Sequence, residues 1–545
     1  MNEFANALGD AHAARAKQWI DRLPMEGWRA VALIAFIHLV VALLAFDPTP
    51  QAGGDNAAYR ALAEALVAGR GYVRLWEPSH AMETLYPPVF PLLLAAPIKL
   101  GLRSFAALQL LMVVFSTAGV GAMYVWLRRT LPGATAFACG VIIALSPGLL
   151  DLSHALLSDI PFAALSALAL GAFAAVSDDT TRRARNVAWL AVGIGATVLA
   201  HFTRSAGLPL LLAALLWLAW QRRYVAGALL VAVVAPLALA WSARARSTGT
   251  ANYADYLRFI DPYQPELGRV DGVALMGRIF DNGARYVTRH LPNLLVGTGG
   301  GFAALAGVIV FGLAIVGFST RVRRPSVAEL WIVLYSGVLL LWPQTWSGER
   351  LLLPIYPLLL AYAALALPLV RERLPRPAIL AAFALAALSL IVSDVQRVAR
   401  GLGCTAAYRK GNLHPCVERD WADYFLVAQA LRDRLPAGSV VISRKPTILY
   451  AESGYPSLVF PLSTARDTLF TEARRIGARY VMVDGSQLTS MYVYDVLRQH
   501  PSRFCSLPAF RRDLASLFRI EPERALSAAP RDTNAIVDCT PGGER

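Results

Sequence analysis

Long apolar stretches recur along the first 395 residues of this 545-residue chain, and they constrain the fold more than any other feature. We count about 11 of them, each near the length of about 20 residues that crosses a bilayer as a helix. They lie at residues 28–46, 105–127, 134–156, 160–176, 187–203, 206–220, 225–243, 298–318, 327–343, 351–369 and 377–395. The pattern predicts a mostly α fold, namely a polytopic bundle of membrane-spanning helices.

The composition agrees with a membrane protein. Hydrophobic residues make up 56% of the chain and charged residues 16%, against roughly 25% charged residues in an average soluble domain. A wholly soluble chain would expose apolar surface, and a disordered chain would contain far fewer apolar residues. The net charge of +15 is explained first by basic cytoplasmic loops. Because no compact basic domain is visible, we expect no nucleic-acid partner.

The distribution of arginines predicts the orientation. With residues 1–27 as a cytoplasmic segment, every predicted inner loop is basic, whereas the short outer turns 157–159 and 344–349 carry no lysine or arginine. Since cytoplasmic loops are enriched in these residues, the N-terminus is predicted inside. An odd number of spans then places the C-terminus outside. The predicted location is the cytoplasmic (inner) membrane, with the C-terminal region in the periplasm.

Two long outer loops interrupt the predicted membrane domain of residues 28–396, at 47–104 and 244–297. Within the first loop, residues 88–102 are apolar but short, and they contain two prolines. Such a run is more often interfacial than spanning, so we expect it to lie on the membrane surface. The second loop contains a predicted amphipathic helix near residues 272–290.

Residues 397–545 have the pattern of a small soluble domain. Helices are predicted at 418–435 and 465–478, and strands at 439–443 and 479–484. Because helices and strands alternate, we expect an extracytoplasmic α/β domain. No glycine-rich phosphate-binding loop of the nucleotide or dinucleotide kind occurs in it.

Four of the five cysteines lie in this domain, at Cys404, Cys416, Cys505 and Cys539. Four cysteines can pair in three ways, and the simplest expectation is Cys404–Cys416 with Cys505–Cys539. The alternative is four unrelated reduced thiols. Disulfides require an oxidising compartment, which agrees with the outer location predicted from charge.

Two acids follow predicted spans on the outer side. Asp55 comes directly after Gly53 and Gly54, and Asp159 precedes Pro161 at the start of the next span. Acidic residues at membrane boundaries need a partner or water and are candidates for function. The alternative for each is a helix N-cap. Asp151 and His154 are weaker candidates nearby.

Arginines are also predicted on the outer side. Arg204 and Arg350 are candidates for binding a lipid phosphate, because the planar guanidinium forms paired hydrogen bonds with phosphate oxygens. The alternative for any single arginine is snorkelling to lipid head groups. Arg60, Arg70 and Arg74 supply further positive charge in the first loop.

Several short motifs resemble those of the GT-C superfamily of membrane glycosyltransferases, in the branch of protein O-mannosyltransferases and lipid A aminoarabinose transferases. They occur in the expected order and all on the predicted outer side. They are Asp55 with Tyr59, GRGY (69–72), YPPVFPLLL (86–94), LLSDIPF (156–162), TRSAG (203–207) and ERLLLPIYP (349–357).

The resemblance implies a sugar donor carried on a polyprenyl phosphate, and transfer outside the cytoplasmic membrane, usually with inversion. By this likeness Asp55 and Asp159 are the catalytic acids of the first and second loops, and we choose Arg204 and Arg350 for the donor phosphate. Three further motif residues are expected to line the donor or acceptor groove, namely Tyr59, Tyr86 and Glu349.

The chain departs from these relatives in two places. Many relatives carry a second acid after the first, where this chain has Asn56, and the aminoarabinose transferases carry a lysine near residues 86–88, where this chain has proline. No cofactor is certain, and the need for a divalent metal stays open.

The predicted function is therefore an integral membrane glycosyltransferase acting on an extracytoplasmic acceptor, which is a glycan, a lipid or a protein. One rival is a lipid or sugar transporter or flippase, which predicts ionisable residues deep within spans and broken helices. The other rival is a non-catalytic envelope assembly protein, in which Asp55 and Asp159 would tolerate substitution by asparagine.

Overall fold

The structure is a computed structural model. It describes residues 27–521, apart from 178, 180, 182, 249–252, 372–374, 464, 466 and 486–487, together with residues 536–539. The predicted cytoplasmic segment 1–27 therefore lies, except for Gly27, outside the described residues.

The first three quarters of the chain fold into a helical bundle. Its helices are α1 (Gly27–Leu44), α2 (Asp55–Val67), α3 (Val89–Lys99), α4 (Phe105–Thr130), α5 (Gly133–Ala144), α6 (Pro147–Ser153), α7 (Asp159–Phe173), α8 (Arg183–Thr203), α9 (Leu208–Trp220), α10 (Tyr224–Thr248), α11 (Tyr253–Leu257), α12 (Gly272–Arg285), α13 (Leu291–Val296), α14 (Ala303–Ser319), α15 (Val327–Leu341), α16 (Glu349–Leu352), α17 (Tyr356–Arg371) and α18 (Arg376–Arg409). A π-helical turn, Tyr286–His290, joins α12 to α13. It extends α12 to the end of the amphipathic helix predicted at 272–290.

Among the described residues, six helices are long and apolar enough to cross a membrane, or seven if α5 and α6, which meet at a bend of 53°, form one span. The six are α1, α4, α8, α10, α16 with α17, and α18. Four other predicted spans coincide with the shorter apolar helices α7, α9, α14 and α15. Each predicted apolar stretch thus contains a helix, while the number of about 11 spans and their orientation stay predictions.

Many large apolar side chains point outward from these helices, as Trp220, Val225, Leu239 and Phe383 do. A water-facing surface of this kind would be costly, whereas lipid is as apolar as these side chains. The interior is packed by large side chains such as Trp331, which is fully buried. We therefore treat the chain as a multi-pass membrane protein. The proline-containing run at 88–102 forms only the 11-residue helix α3.

The C-terminal domain packs helices against a six-stranded mixed sheet. Its elements are α19 (Arg419–Arg434), β1 (Val441–Ser443), α20 (Pro446–Ser453), β2 (Ser457–Val459), α21 (Thr468–Ile476), β3 (Tyr480–Asp484), α22 (Met491–Gln499), β4 (Phe504–Ser506), β5 (Ala515–Ile520) and β6 (Val537–Asp538). The strand order is β2-β1-β3-β5-β4-β6, in which β1 runs parallel to β2 and β3. Strand β5 is antiparallel to β3. The predicted helices and strands of this domain are present.

Two disulfides stabilise this part of the chain. Cys404 is bonded to Cys416 and Cys505 to Cys539, with Cα–Cα distances of 5.6 and 4.9 Å. These are the pairs of the simplest prediction. The first disulfide ties the end of α18 to the segment before α19. Helix α18 runs without a break through the predicted domain boundary at 396/397, so the last span continues directly into the C-terminal domain.

The C-terminal domain rests on one end of the bundle, which we call the domain-facing end. Thr405 donates a hydrogen bond to the Phe46 carbonyl at 3.0 Å, just beyond α1. Tyr492 of α22 donates to Glu266, in the second long loop, at 2.6 Å. The helix ends that carry Asp55, Asp159, Arg204 and Arg350 all lie at this end.

Candidate active site

The first acid stands at the start of α2, where a sharp turn leaves the end of α1. Gly54 occupies the N-cap position with φ 93°, a left-handed conformation that favours glycine. A Cβ at this position would also lie 3.2 Å from the Thr447 hydroxyl oxygen. Asp55 is the first helical residue, and no side-chain capping bond is present there. The alternative interpretation of Asp55 as an N-cap is therefore wrong, and its carboxylate is available to other partners.

Those partners are Tyr86 and Arg350. The Tyr86 hydroxyl donates to Asp55 Oδ1 at 2.8 Å, and Arg350 Nη1 donates to Oδ2 at 2.9 Å. The Asp55 and Arg350 side chains are 30% and 35% exposed, so the pair is open to a substrate. Burial acts to raise the pKa of Asp55, but the charge and hydrogen bond of Arg350, aided by Tyr86, bring the pKa below its usual value. Asp55 is thus held as a carboxylate.

The second acid is buried. Asp159 is the first residue of α7, with Ser158 at the N-cap position and no side-chain capping bond, so the cap interpretation is wrong here too. Its side chain is 1% exposed and forms an ion pair with Arg204. A buried acid of this kind needs a paired cation, and Arg204 supplies it.

Tyr59 links the two acids. Its hydroxyl is 2.8 Å from that of Ser158, the residue before Asp159. Its ring meets the ring of Tyr86, which bonds Asp55, edge to face with centroids 4.9 Å apart. The structure therefore brings six of the predicted site residues into one chain of contacts, which passes from Tyr59 to Asp159 through Ser158: Arg350, Asp55, Tyr86, Tyr59, Asp159 and Arg204.

Glu349 is the predicted site residue that lies apart from this chain of contacts. Its carboxylate is 3.3 Å from His290 Nδ1, in the π-helical turn. Adjacent residues at the start of α16 thus point to different partners, Arg350 to Asp55 and Glu349 to His290. The place of Glu349 in the donor or acceptor groove stays a prediction. Of the weaker candidates, Asp151 pairs with Arg397, and His154 contacts the Ala42 carbonyl through Nε2.

A buried acid that the sequence did not single out shapes the loop carrying Tyr86. Glu83 is fully buried, pairs with Arg74, and accepts hydrogen bonds from the three successive backbone amides of residues 84–86. The Tyr72 hydroxyl donates to the Tyr86 carbonyl at 2.7 Å. From α10, Arg244 donates to the Glu83 carbonyl at 3.0 Å. The loop is therefore fixed from several sides, and Tyr86 is held towards Asp55.

The C-terminal domain also contributes to the site. Lys445, two residues after the end of β1, donates from Nζ to the Gly53 carbonyl at 3.2 Å, and the Thr447 hydroxyl donates to the Gly54 carbonyl at 2.9 Å. Burial and the charge of Arg444 lower the pKa of Lys445, while Asp55 acts in the opposite direction. The carboxyl edge of the parallel strands, where α/β sheets commonly present ligand-binding residues, thus faces the turn that carries Asp55.

The second long loop approaches the same place. Burial, and then the charge of Asp55, raise the pKa of Tyr253 above its usual value. Burial raises the pKa of Tyr263 as well, and the charge of Asp55 adds to this rise, while a hydrogen bond with Trp346 acts to lower the pKa. Both tyrosines lay in a segment that the sequence marked only as an outer loop. No motif distinguished either of them.

The donor set at the two acids does not fit a divalent cation. Arg350 and Arg204 already place positive charge against Asp55 and Asp159. Within the described part of the chain, the groups of His, Cys, Asp and Glu close enough to share a metal are Asp47 with Cys404 and Cys416, and Glu521 with Cys505 and Cys539. These cysteines are joined in disulfides and offer no thiolate.

The fold is similar to those of solved GT-C membrane glycosyltransferases. ArnT from Cupriavidus metallidurans bound to undecaprenyl phosphate is 15% identical, with a TM-score of 0.55 over 92% of this chain and 99% of that chain. The archaeal oligosaccharyltransferase AglB from Archaeoglobus fulgidus, in complex with an inhibitory peptide and a dolichol-phosphate, is 13% identical, with a TM-score of 0.57 over 94% of this chain and 76% of that chain.

A third structure, the Archaeoglobus fulgidus oligosaccharyltransferase with Zn and sulfate, is 15% identical, with a TM-score of 0.54 over 83% of this chain and 68% of that chain. The sequence matches no protein-family model, and no curated protein is significantly similar to it. At these identities the likeness concerns the fold, and it confirms the GT-C resemblance at that level.

Proposed function

We propose that this chain is an integral membrane glycosyltransferase that moves a sugar from a polyprenyl-phosphate donor to an acceptor outside the cytoplasmic membrane. The observation that carries the proposal is the environment of Asp55. Its carboxylate is partly exposed, lies at the domain-facing end of an apolar bundle, and is oriented by Tyr86 and Arg350. The likeness in fold to proteins solved with undecaprenyl phosphate and dolichol-phosphate supports a lipid-phosphate donor.

In the proposed reaction Asp55 accepts the proton of an acceptor hydroxyl. The acceptor oxygen forms a bond to the anomeric carbon as the bond from that carbon to the phosphate oxygen breaks. The electron pair leaves with the polyprenyl phosphate. Because attack and departure occur on opposite sides of the carbon, the configuration inverts.

Arg350 and Arg204 supply the positive charge that this reaction needs. Charge develops on the departing phosphate oxygen, and fixed guanidinium groups near it stabilise that charge without reorganisation. Arg350 also keeps Asp55 ionised. We assign Arg204 a supporting role, since its partner Asp159 is buried and holds it in place.

The contacts of His38 weigh against the transporter alternative. His38 is a buried ionisable residue within α1, where a transporter would place a relay group. Its ring nitrogens contact the Ala144 carbonyl at 2.8 Å and the Ser116 hydroxyl at 2.6 Å, both fixed packing partners. The two acids, in contrast, lie at helix starts and at the domain-facing end. This arrangement favours an enzyme.

The proposal is tested by the transfer of radiolabelled sugar from a panel of polyprenyl-phosphate sugars. Purified protein in nanodiscs is supplied with an envelope extract as the source of acceptor. Asp55→Asn keeps the side-chain shape and should lower the rate about 10³-fold, within the range for loss of a general base. The matched control is Glu64→Gln, on the same helix, where Glu64 forms an ordinary i,i+4 pair with Arg60.

Glu64→Gln should transfer sugar at nearly the wild-type rate. Equal rates for wild type and Asp55→Asn would remove this acid from the mechanism. An inactive wild type across the donor panel, together with movement of labelled lipid between leaflets, would support the flippase instead.

A further inference from the structure

A second feature of the domain-facing end is a polar cleft of about 650 Å³. One wall is the segment 45–53, which connects α1 to α2, and the other walls are the end of α6, the middle of α18 and residues 416–418. The cleft reaches Gly53, two residues before Asp55. None of the predicted catalytic residues lines it.

The floor of the cleft carries a buried amide with an unused acceptor. Gln109 of α4 is only 2% exposed, and its Nε2 donates to the Thr49 carbonyl at 2.9 Å. Its Oε1 accepts no hydrogen bond from the residues that the structure describes. An unsatisfied buried acceptor costs free energy, so a hydrogen-bond donor that reached this atom would be stabilised there.

The charges around the cleft disfavour an anion. Arg397 forms two hydrogen bonds with Asp151, at 2.8 and 2.7 Å, and Arg400 lies 3.9 Å from Asp47. With Glu418 added, the lining carries three carboxylates against two guanidinium groups, a formal balance of −1. A phosphate would meet a surplus of negative charge, because the carboxylates of the lining outnumber its guanidinium groups.

Neutral hydroxyl groups suit these walls better. Carboxylate oxygens and the Gln109 carbonyl accept hydrogen bonds from hydroxyls, and the side-chain amides of Gln51 and Gln396 both donate and accept. Small apolar residues such as Ala45, Pro50 and Ala52 also line the cleft. A sugar ring has both hydroxyl groups and apolar C–H surface, so it can contact both kinds of residue.

We infer that this cleft is a binding site for a neutral saccharide, the sugar portion of the acceptor. Its assignment to the acceptor rests on the proposed transferase function, whereas saccharide binding itself does not. Because the wall ends at Gly53, a saccharide of more than one ring extends along the segment that leads to Asp55. The donor phosphate is held elsewhere, by Arg350 and Arg204.

Saturation-transfer NMR on nanodisc-embedded protein tests this inference. The probes are methyl glycosides of glucose, galactose, mannose, N-acetylglucosamine and arabinose, with inorganic phosphate as the anionic probe. Three variants make the same change at different places: Gln109→Leu on the floor, Gln51→Leu in the wall, and Gln499→Leu at the exposed end of α22. At least one glycoside should bind saturably to wild type, and about five- to tenfold more weakly to the first two variants.

Two further arms separate this site from the catalytic one. Asp55→Asn should bind the glycoside like wild type, and added undecaprenyl phosphate should not displace it. Any one of four results would overturn the inference. The first two are a glycoside signal that is unchanged in Gln109→Leu and Gln51→Leu, and displacement of the glycoside by undecaprenyl phosphate. The other two are preferential binding of inorganic phosphate, and the absence of any saturable glycoside signal. If Gln109→Leu fails to fold, Gln51→Leu decides. Failure of transfer with saccharide binding intact would count against the proposed function alone.

Discussion

The two acid–arginine pairs at the domain-facing end share a local design but differ in their surroundings. Asp55 and Asp159 each open a helix, and each meets an arginine from another part of the chain. Around Asp55 the acid and Arg350 are 30% and 35% exposed, whereas Asp159 and Arg204 are 1% and 16% exposed. Asp55 also accepts a hydrogen bond from Tyr86.

The difference in exposure indicates that the two acids have different roles. An exposed carboxylate can exchange a partner for a substrate hydroxyl and take up its proton. A buried ion pair cannot lose one member without leaving the other charge uncompensated. We therefore assign the chemical step to Asp55 and the positioning of Arg204 to Asp159.

The largest effect on stability is expected from Asp159→Asn. The change leaves the Arg204 charge without its partner in a buried setting, and we expect a loss of about 3–5 kcal/mol in the free energy of unfolding. Asp55→Asn should cost far less, because solvent reaches that pair. Denaturation of both variants in mixed micelles measures the contrast. Equal losses of stability in the two variants would contradict the contrast between an exposed pair and a buried pair.

Arg350→Gln should shift the pH dependence of transfer. Removal of the guanidinium leaves burial to act on Asp55, so the pKa of the acid rises, and the carboxylate form needed as a base persists only at higher pH. The acid limb of kcat/KM should therefore move to higher pH. The rate at pH 7 should fall about 10²-fold through the lost charge.

Arg60→Gln serves as the control, since Arg60 lies on the same helix as Asp55 but pairs with Glu64. Its acid limb should match that of wild type. An acid limb that stays in place in Arg350→Gln would show that Asp55 is not the group that titrates.

Lys445→Met sharpens the comparison, because Lys445 gives Asp55 a cation from the C-terminal domain. Loss of its hydrogen bond to the Gly53 carbonyl should loosen the turn before Asp55 and lower kcat/KM about tenfold. Lys410→Met, at the exposed end of α18, is the matched control. A wild-type rate in Lys445→Met would limit the domain to a covering role.

The helices and the acids were accessible from the sequence, because an apolar stretch of sufficient length and an acid directly after it are both local patterns. The N-cap interpretation was wrong by one position, since Gly54 and Ser158 take the cap and leave the acids as first helical residues. The domain boundary fell inside α18, because a helix can continue after its apolar stretch ends.

The pairing of the site was not accessible from the sequence. Asp55 and Arg350 are 295 residues apart, and only the packing of α16 against the first loop brings them together. Glu83 lies in a loop without periodicity, and Lys445 follows a three-residue strand in another domain. Their roles depend on tertiary contacts.

The smallest effect is expected from removing metal ions. If a divalent cation bridged the two acids, they would act as one centre, and the contrast between an exposed and a buried pair would lose its meaning. Instead, Arg350 and Arg204 occupy the positions beside the carboxylates. In the proposed mechanism, guanidinium groups supply the positive charge that opposes the leaving phosphate. We therefore expect prolonged dialysis against EDTA to change the transfer rate by less than about twofold. A different result would be a lost rate that Mn²⁺, Mg²⁺ or Zn²⁺ restores, under conditions in which EDTA leaves the folded state intact. That result would require both acids to release their arginines when the donor binds.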